Sequence, residues 1–242
     1  MKVLNPYVIE LAKTLNQHWY NVWSATDNGG KAEYIGCFPS ATTILNAYPQ
    51  SIHLTKWIAD NGWNESQKIK TDAGVRGTRI HTATEKLEDG EELMEEEYSL
   101  EEWYKISTFV DWHNTFHPEL IASEMSLFSP SGGYAGRLDR IYRINGEVTL
   151  LDIKSGAGIH DHFPLQFAAY AHAIEENTDI EIQQTAALQL GASNKNGYRF
   201  VAYDDWREHY RVFQNVHEVW RYGMEPKSVP TFDLPKTLKI VK

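Results

Sequence analysis

Two carboxylates and an ammonium that could do chemistry lie on two short segments that are both predicted to be β-strands. Asp139 ends the segment Gly136-Arg137-Leu138-Asp139, and Asp152 and Lys154 lie two residues apart in Leu150-Leu151-Asp152-Ile153-Lys154. Because side chains alternate between the two faces of a strand, Asp152 and Lys154 share one face. Buried charges cost several kcal/mol each unless they are paired or bind a metal. Two carboxylates that share a divalent cation, with a lysine beside them, would account for this pattern.

A hairpin would bring these groups together. The first segment predicts a strand from about Tyr134 to Ile144, and the second predicts a strand from about Val148 to Lys154. Between them, Asn145-Gly146 is typical of a two-residue hairpin turn. Antiparallel pairing across this turn would place Asp139 beside the strand that carries Asp152.

A histidine on a predicted helix adds a third candidate ligand. The apolar residues from Asp72 to Leu87 have helical spacing, and His81 lies one turn from both Gly77 and Glu85. The glycine leaves space on one side of the imidazole, and the carboxylate can orient the ring from the other. Taken alone, such a histidine is more often a partly buried structural residue. Its interpretation as a metal ligand therefore depends on the hairpin.

Two further elements carry polar residues near this pattern. Glu124 lies within a predicted strand from Glu119 to Phe128, ahead of a Pro-Ser-Gly-Gly turn. A helix predicted from about Pro164 to Glu175 has Gln166 and Tyr170 on one face, four residues apart. In isolation, Tyr170 is better explained as a core residue.

The first third of the chain predicts packing elements. They are a helix from Asn5-Pro6 to about Asn16, a hairpin of 18–25 and 31–36, a helix over 41–47, and a helix over 51–61 with Trp57 facing inward. Ser40, Thr42 and Thr43 are weak candidates for substrate contact. Helix capping is the more favoured role for these three residues.

The remaining pattern predicts helices and strands on either side of the charged hairpin. They are a helix from Ser99 to about Thr115, strands near 181–190 and 198–203, a helix over 204–222, and an extended tail that contains Pro226, Pro230 and Pro235. We found no internal repeat and no low-complexity linker, so a single domain over 1–242 is expected.

The composition is that of an ordinary globular protein. Of the 242 residues, 42% are hydrophobic and 23% are charged. The sequence contains no apolar run of membrane length and no signal-peptide pattern, so we expect a cytoplasmic protein without membrane association. Cys37 is the single cysteine, which excludes an internal disulfide and a thiolate zinc cluster.

The net charge of −10 is unevenly distributed. The segment from Glu85 to Glu102 contains ten acidic residues and one basic residue, which leaves about −1 for the rest of the chain. The acidic segment is most simply a solvated surface. Outside it, a basic groove remains compatible with the sequence. Residues that could form such a groove are Lys68, Lys70, Arg76 and Arg79.

Taken in order, these motifs resemble those of a nuclease family. A helix with GxxxH, a strand with GxLD, a strand with DIK and a helix with QxxxY resemble the motif series of the PD-(D/E)xK nucleases with a RecB-like nuclease domain. The resemblance covers about Val75 to Tyr203. Two further segments are similar to segments of the mitochondrial genome maintenance exonuclease and of phage-encoded exonucleases. They are Phe38-Pro39-Ser40-Ala41-Thr42-Thr43-Ile44-Leu45 and Ser123-Glu124.

The resemblance implies an α/β fold with an αβββαβ core of the restriction-endonuclease kind, in which helices flank a mixed central sheet. The core would span 72–222, preceded by a helical and hairpin embellishment over 1–70 and followed by an extended tail over 223–242. Some RecB-like relatives carry cysteines for an iron-sulfur cluster, and this sequence with its single cysteine does not.

The resemblance also implies roles for individual residues. His81, Asp139 and Asp152 match metal-ligand positions, with the Ile153 carbonyl as a further ligand, and Lys154 matches the catalytic lysine. The other implied or inferred roles are DNA contact or site orientation for Gln166 and Tyr170, auxiliary carboxylates for Glu85 and Glu124, and DNA contact for Arg76, Arg79, Ser40 and Thr42. Independently of the family, oxygen ligands with one imidazole suit Mg²⁺ or Mn²⁺.

We therefore expect a metal-dependent deoxyribonuclease, most simply an exonuclease that favours single-stranded DNA or free DNA ends in replication, recombination or repair. It would act alone or with replication or recombination proteins on other chains. Within this class, endonuclease activity and structure-specific flap cutting remain open, and two functions of other classes are alternatives. One is a non-catalytic DNA-binding or assembly subunit with the same fold, and the other is a metal hydrolase that acts on a small phosphoester.

Overall fold

The chain folds into both strands and helices. The computed structural model describes residues 6–14, 17–223, 231–232, 235 and 237–239. The strands in these residues are β1 (Tyr7–Leu11), β2 (Trp19–Ala25), β3 (Lys31–Pro39), β4 (Glu119–Ser123), β5 (Ser126–Ser129), β6 (Tyr134–Arg137), β7 (Arg140–Ile144), β8 (Glu147–Lys154), β9 (Gln184–Leu190) and β10 (Tyr198–Tyr203). The α-helices are α1 (Ala41–Ile44), α2 (Ile52–Asn61), α3 (Trp63–Glu88), α4 (Leu100–Phe116), α5 (Phe163–Asn177) and α6 (Trp206–Gly223).

A mixed five-stranded sheet lies at the centre, with strand order β10-β9-β8-β7-β4. β8 and β9 run parallel, whereas the other neighbouring strands are antiparallel. A parallel pair needs a long crossover connection, and α5 supplies it between β8 and β9. Two smaller sheets, β1-β2-β3 and β5-β6, lie beside the central one.

Helices cover both faces of the central sheet. On one face, Leu151 of β8 packs in a cluster with Ile80 of α3 and Phe109 of α4. On the other face, Leu150 packs in a cluster with Phe167 of α5. A strand that is buried on both faces is almost continuously apolar, which explains the composition of β8. The structure therefore confirms an α/β protein with a mixed sheet flanked by helices.

The helix predicted from Asn5-Pro6 is wrong. Residues 7–11 form β1, which pairs antiparallel with β2. Tyr7, Val8 and Ile9 are aromatic or β-branched residues that favour strands. The Tyr7 ring also meets the ring of Phe128 edge-on at a centroid distance of 5.0 Å. Pairing and packing therefore override the helix-start signal of the proline, and the predicted helix end near Asn16 lies outside the described residues.

The predicted hairpin and first short helix are confirmed. β2 and β3 form the hairpin, with β3 extending to Pro39. The helix consists of α1 followed by a 3-10 turn over Leu45–Ala47. The Ser40 hydroxyl accepts a hydrogen bond from the Thr43 amide at 2.9 Å, so the preferred capping role is confirmed for Ser40.

The next two helices differ from their predictions in exposure and length. α2 is present but contains no buried residue, so the prediction that Trp57 faces inward is wrong. α3 begins at Trp63 rather than at Asp72. The residues between these two positions are mostly polar helix formers that continue a helix without burying a face, so apolar spacing missed them. Gly62, with φ of 78°, separates α2 from α3.

Two predicted strands are each divided in the structure. The strand predicted over 119–128 forms β4 and β5, interrupted at Glu124 and Met125. The strand predicted over 134–144 forms β6 and β7, interrupted at Leu138 and Asp139. The outer halves, β5 and β6, leave the central sheet and pair with each other. Two candidate site residues thus lie at strand interruptions rather than within strands.

The other elements follow their predictions closely. The helices after Ser99, at 164–175 and at 204–222 are confirmed as α4, α5 and α6, and the strands near 181–190 and 198–203 are confirmed as β9 and β10. Most of the predicted tail, including Pro226 and Pro230, lies outside the described residues. Among the helices that the structure describes, none is long and apolar enough to cross a membrane.

Candidate metal centre

Side chains from three separate elements meet at the two strand interruptions. His81 comes from α3, Glu124 from the interruption between β4 and β5, and Asp139 from the interruption between β6 and β7. One nitrogen or oxygen atom of each lies within 4.8 Å of one such atom of the others. His81 Nδ1 is 3.3 Å from Asp139 Oδ2. One imidazole and two carboxylates therefore converge.

Backbone hydrogen bonds hold the two interruptions against each other. The Glu124 amide donates to the Asp139 carbonyl at 2.7 Å, and the Leu138 amide donates to the Met125 carbonyl at 3.0 Å. Glu124 adopts a left-handed conformation with φ of 48°. This conformation bends the chain from the central sheet into the small β5-β6 sheet. Both carboxylates consequently lie at the same junction.

Asp139 is also tied to β8. Its Oδ2 accepts a hydrogen bond from the Ile153 amide at 2.8 Å. The Ile153 side chain is buried in the core, with 1% of its surface exposed. A ligand role for the Ile153 carbonyl stays a prediction.

Burial and the neighbouring Asp152 charge raise the pKa of Asp139 to about 7, although His81, the Lys154 ammonium and the Ile153 amide act in the opposite direction. A carboxyl in this environment keeps its proton to a higher pH, and an added positive charge nearby would favour its ionised form. Burial is the larger of the two causes, so the shift mainly reflects the removal of this carboxyl from water.

Asp152 and Lys154 form an ion pair next to this group. Lys154 Nζ lies 2.6 Å from Asp152 Oδ1, without the angular geometry of a hydrogen bond. The ammonium also lies 4.4 Å from the centre of the Phe163 ring, where a cation is attracted to the aromatic face. Asp152 is not part of the compact group of His81, Glu124 and Asp139.

Gln166 and Tyr170 contact each other on α5. Gln166 Nε2 donates to the Tyr170 hydroxyl at 3.1 Å. Burial raises the pKa of Tyr170, and the Asp152 and Asp139 charges add to the shift. A Cβ atom at Gly136 would lie 2.4 Å from Tyr170 Cε1. The tyrosine therefore needs the absence of a side chain on β6, and it lies close to both aspartates.

Glu124 is held by two arginines that sequence analysis did not identify as site residues. Arg137 Nε lies 2.9 Å from Glu124 Oε2, and Arg140 Nη1 lies 2.9 Å from Oε1. Arg140 is fully buried, and its Nε lies 2.5 Å from Glu88 Oε2. The available signal was the alternation along β7, which places Arg140 on the same face as Tyr142 and Ile144, because a buried arginine needs a carboxylate partner.

A cavity of about 420 Å³ opens beside His81 and Glu124. Its lining includes Gly77, His81 and Glu85 from α3, together with Glu124 and Arg137. A Cβ atom at Gly77 would lie 3.4 Å from Ser155 Oγ, which is ordinary van der Waals contact, so the packing of α3 against the segment after β8 does not require a glycine there. Glu85 lines the cavity without belonging to the group of His81, Glu124 and Asp139.

The residues predicted to contact DNA differ in their surroundings: the two arginines pair with glutamates, whereas Ser40 is buried in a helix cap. Arg79 donates from Nε to Glu102 Oε1 at 2.7 Å, and Arg76 Nε lies 3.6 Å from Glu101 Oε2. These pairs join α3 to α4. Ser40 is buried and hydrogen-bonded within its cap, where its Oγ lies 2.7 Å from Thr42 Oγ1. Their contact with DNA stays a prediction.

Comparison with known proteins identified no matching family model and no matching curated protein. The geometry of these residues is therefore the basis on which a function is inferred.

Proposed function

We propose that this protein is a divalent-metal-dependent deoxyribonuclease with a restriction-endonuclease-like core. The order of a helix, β4, β7, β8, α5 and β9 supports the αβββαβ core, because three antiparallel strands precede a helical crossover to a parallel fourth strand. The observation that carries the proposal is the meeting of His81, Glu124 and Asp139 beside the pair of Asp152 and Lys154. His81, Glu124 and the hairpin that carries the other three residues are separate in the sequence.

The donor set fits a hard divalent cation. His81, Glu124 and Asp139 would hold Mg²⁺ or Mn²⁺, and Asp152 would join them from β8. A bound cation would favour the ionised form of Asp139 and would lower its raised pKa. When bound, a divalent cation stabilises the negative charge that develops on a phosphodiester during in-line attack by water.

The protein supplies the remaining groups. Lys154, held by Asp152, would position or deprotonate the attacking water or stabilise charge on the phosphorus oxygens. The face of the Phe163 ring and the Asp152 carboxylate limit where the ammonium can move. Tyr170 and Gln166 would orient the site from α5. Geometric constraint of this kind is a principal source of catalysis in phosphoryl transfer.

An exposed helical arm supports single-stranded DNA as the substrate. The arm consists of α2 and the first half of α3, and it exposes Trp57 at 36% and Trp63 at 66%. Lys68 and Lys70 are exposed on the same arm. Aromatic side chains stack on unpaired bases, and lysines neutralise phosphates. Because α3 also carries His81, a DNA strand bound along the arm would run towards the candidate site.

Cleavage of a labelled oligonucleotide tests the proposal. With Mg²⁺ or Mn²⁺, the wild-type protein should shorten a linear end-labelled single strand. Lys154→Ala and His81→Ala should reduce the rate about 100-fold or more, because each removes a group that acts on the reacting atoms or holds the cation. Lys31→Ala is the matched control, because Lys31 also pairs with a carboxylate, Glu10, at 2.8 Å.

The assay has two contrary outcomes. Absence of cleavage by the folded wild-type protein under both metals, or Lys154→Ala that behaves like the parent, would contradict the proposal. DNA binding that needs no metal and is unchanged by Asp152→Asn would instead support the non-catalytic subunit.

A second substrate distinguishes exonuclease from endonuclease activity. We propose an exonuclease that acts on free ends during replication, recombination or repair. A covalently closed single-stranded circle should therefore resist digestion while the linear form of the same sequence disappears. Linearisation of the circle would establish endonuclease activity.

A further inference from the structure

Arg137 faces both a candidate ligand and the cavity beside it. Its Nε lies 2.9 Å from Glu124 Oε2, and 55% of its side chain is exposed. It lines the same cavity as His81, Glu85 and Glu124. The guanidinium therefore contacts the ligand group from a position that solvent, and a molecule in the cavity, can reach.

Arg140 pairs with the other carboxylate oxygen of Glu124, and this second ion pair is buried. Its Nη1 donates to Glu124 Oε1 and to the Asp139 carbonyl, both at 2.9 Å, and its side chain is fully buried. Its Nε contacts Glu88 as well. Separating a buried ion pair is strongly unfavourable, whereas a half-exposed pair is weak. Arg140 is thus a fixed partner of Glu124, and Arg137 is an exchangeable one.

We propose that Arg137 binds a backbone phosphate of the substrate, and that its guanidinium leaves Glu124 when a divalent cation takes that carboxylate. This inference rests on the proposed nuclease function. No covalent bond is made or broken in the exchange. Arg137 exchanges one anionic partner, the carboxylate, for another, the phosphodiester.

Charge and geometry favour this exchange. A cation at Glu124 repels the guanidinium and competes with it for the same carboxylate. A phosphodiester offers two oxygens that match the fork of the guanidinium. Arg137 lies two residues before Asp139 on the same chain segment, and Leu138 between them is fully buried. A phosphate held by Arg137 would therefore stay beside the ligand group.

Two measurements on Arg137→Ala test the inference. Calorimetric titration with Mn²⁺ in the absence of DNA measures cation affinity. Fluorescence anisotropy of a labelled oligo-dT with Mg²⁺, in a Lys154→Ala background to suppress cleavage, measures DNA affinity over a range of salt concentrations. The matched control is Arg143→Ala, because Arg143 also forms an exposed ion pair, with Glu119 at 3.3 Å and 46% side-chain exposure.

The two affinities should change in opposite directions. Arg137→Ala should bind Mn²⁺ about threefold to tenfold more tightly, because Glu124 no longer pairs with a competing cation. The same variant should bind DNA about fivefold to tenfold more weakly, and the slope of log Kd against log salt should fall by about 0.7. Arg143→Ala should change each affinity by less than about twofold.

Each other outcome has a defined meaning. If the wild-type protein neither binds Mn²⁺ nor cleaves DNA, the proposed function itself fails. If it does both, and Arg137→Ala matches Arg143→Ala in cation affinity and salt slope, only the role of Arg137 is overturned. Weaker Mn²⁺ binding by Arg137→Ala would also overturn it, because Arg137 would then orient Glu124 rather than release it. Circular dichroism checks that each variant is folded.

Discussion

Glu124 reaches the candidate site through an unusual backbone conformation. A non-glycine residue at φ of 48° carries a strain of about 1 kcal/mol or more, and such residues concentrate at functional sites. Pairing of both its oxygens with arginines, and the hydrogen bond from its amide to the Asp139 carbonyl, offset that strain. The conformation places a carboxylate where a regular strand would have continued. Its position beside His81 supports a role beyond packing.

The raised pKa of Asp139 makes stability depend on pH. In the metal-free protein, the folded state keeps the Asp139 proton up to about pH 7, whereas the unfolded chain loses it near its ordinary pKa of 3.8. The stability contribution of this group is therefore greatest at low pH and declines as the pH rises towards 7. From about pH 5 to pH 7.5, the decline should be on the order of 2 kcal/mol.

Urea unfolding with a chelator measures this effect. The relevant quantity is the difference in free energy of unfolding between the wild-type protein and Asp139→Asn. This difference cancels the effect of three histidines, because burial lowers the pKa of His162, His172 and His217 in both proteins. Those histidines oppose the Asp139 effect, since they destabilise the fold as the pH falls. A difference that does not vary with pH would contradict the assigned pKa.

Gly136→Ala tests the contact between β6 and Tyr170. The new methyl group would lie 2.4 Å from Tyr170 Cε1, so the ring must move. We expect a loss of about 1 to 3 kcal/mol in the free energy of unfolding, because the core there becomes overpacked. Gly223→Ala is the control, since nothing lies within 4 Å of its added carbon. Equal stabilities of the two variants would show that Tyr170 accommodates the methyl group.

At the scale of elements, α3 connects three environments. Its 26 residues extend for about 39 Å, from the exposed Trp63 through His81 to the buried carboxylate of Glu88. Glu88 accepts hydrogen bonds from Arg140 and from the Tyr142 hydroxyl on β7. The end of α3 is thereby fixed to the central sheet, which sets the position of His81 about two turns away.

Arg140→Ala should destabilise the fold strongly. The substitution leaves the Glu88 and Glu124 carboxylates without their buried partner, and breaking a buried pair costs about 3 to 5 kcal/mol. Chemical denaturation measures the change. Arg143→Ala, an exposed arginine on the same strand, should change stability by about 0.5 kcal/mol or less. A small effect of Arg140→Ala would mean that water replaces the guanidinium.

At the scale of the whole molecule, the acidic segment is only partly a solvated surface. Glu101 and Glu102, at its end, pair with Arg76 and Arg79 of α3. Two of the four basic residues expected to line a groove thus help to join helices. Lys68 and Lys70 remain exposed on the arm, further from α4 along the helix. Of these four basic residues, Lys68 and Lys70 are therefore the ones best placed to contact DNA.

Trp63→Ala tests the arm as a DNA-binding surface. Loss of one stacking platform should weaken binding of single-stranded oligo-dT by about 1 to 3 kcal/mol, because an aromatic ring stacks on unpaired bases. Binding to duplex DNA of the same length should change much less. Tyr222→Ala, which removes a 97% exposed aromatic residue from α6, is the control. Equal effects of both substitutions would exclude a specific role for the arm.

The sequence by itself determined the elements whose signals are local. Hydrophobic spacing, the capping serines and the Asn145-Gly146 turn predicted α4, α5, α6 and the β7-β8 hairpin. The alternation along β8 predicted that Asp152 and Lys154 share a face, and their 2.6 Å contact confirms it. These features depend on residues that are neighbours in the chain or one turn apart, so short-range rules suffice.

Only the tertiary structure decided which side chains meet. Glu124 lies closer to His81 and Asp139 than its sequence position within a predicted strand suggested, because both long strands are interrupted where the chain passes between sheets. The same folding buried Arg140 against Glu88 and left Arg137 at the cavity. Ion pairing between residues tens of positions apart has no periodic signature. It depends on how sheets and helices pack, and that packing is settled by the whole chain at once.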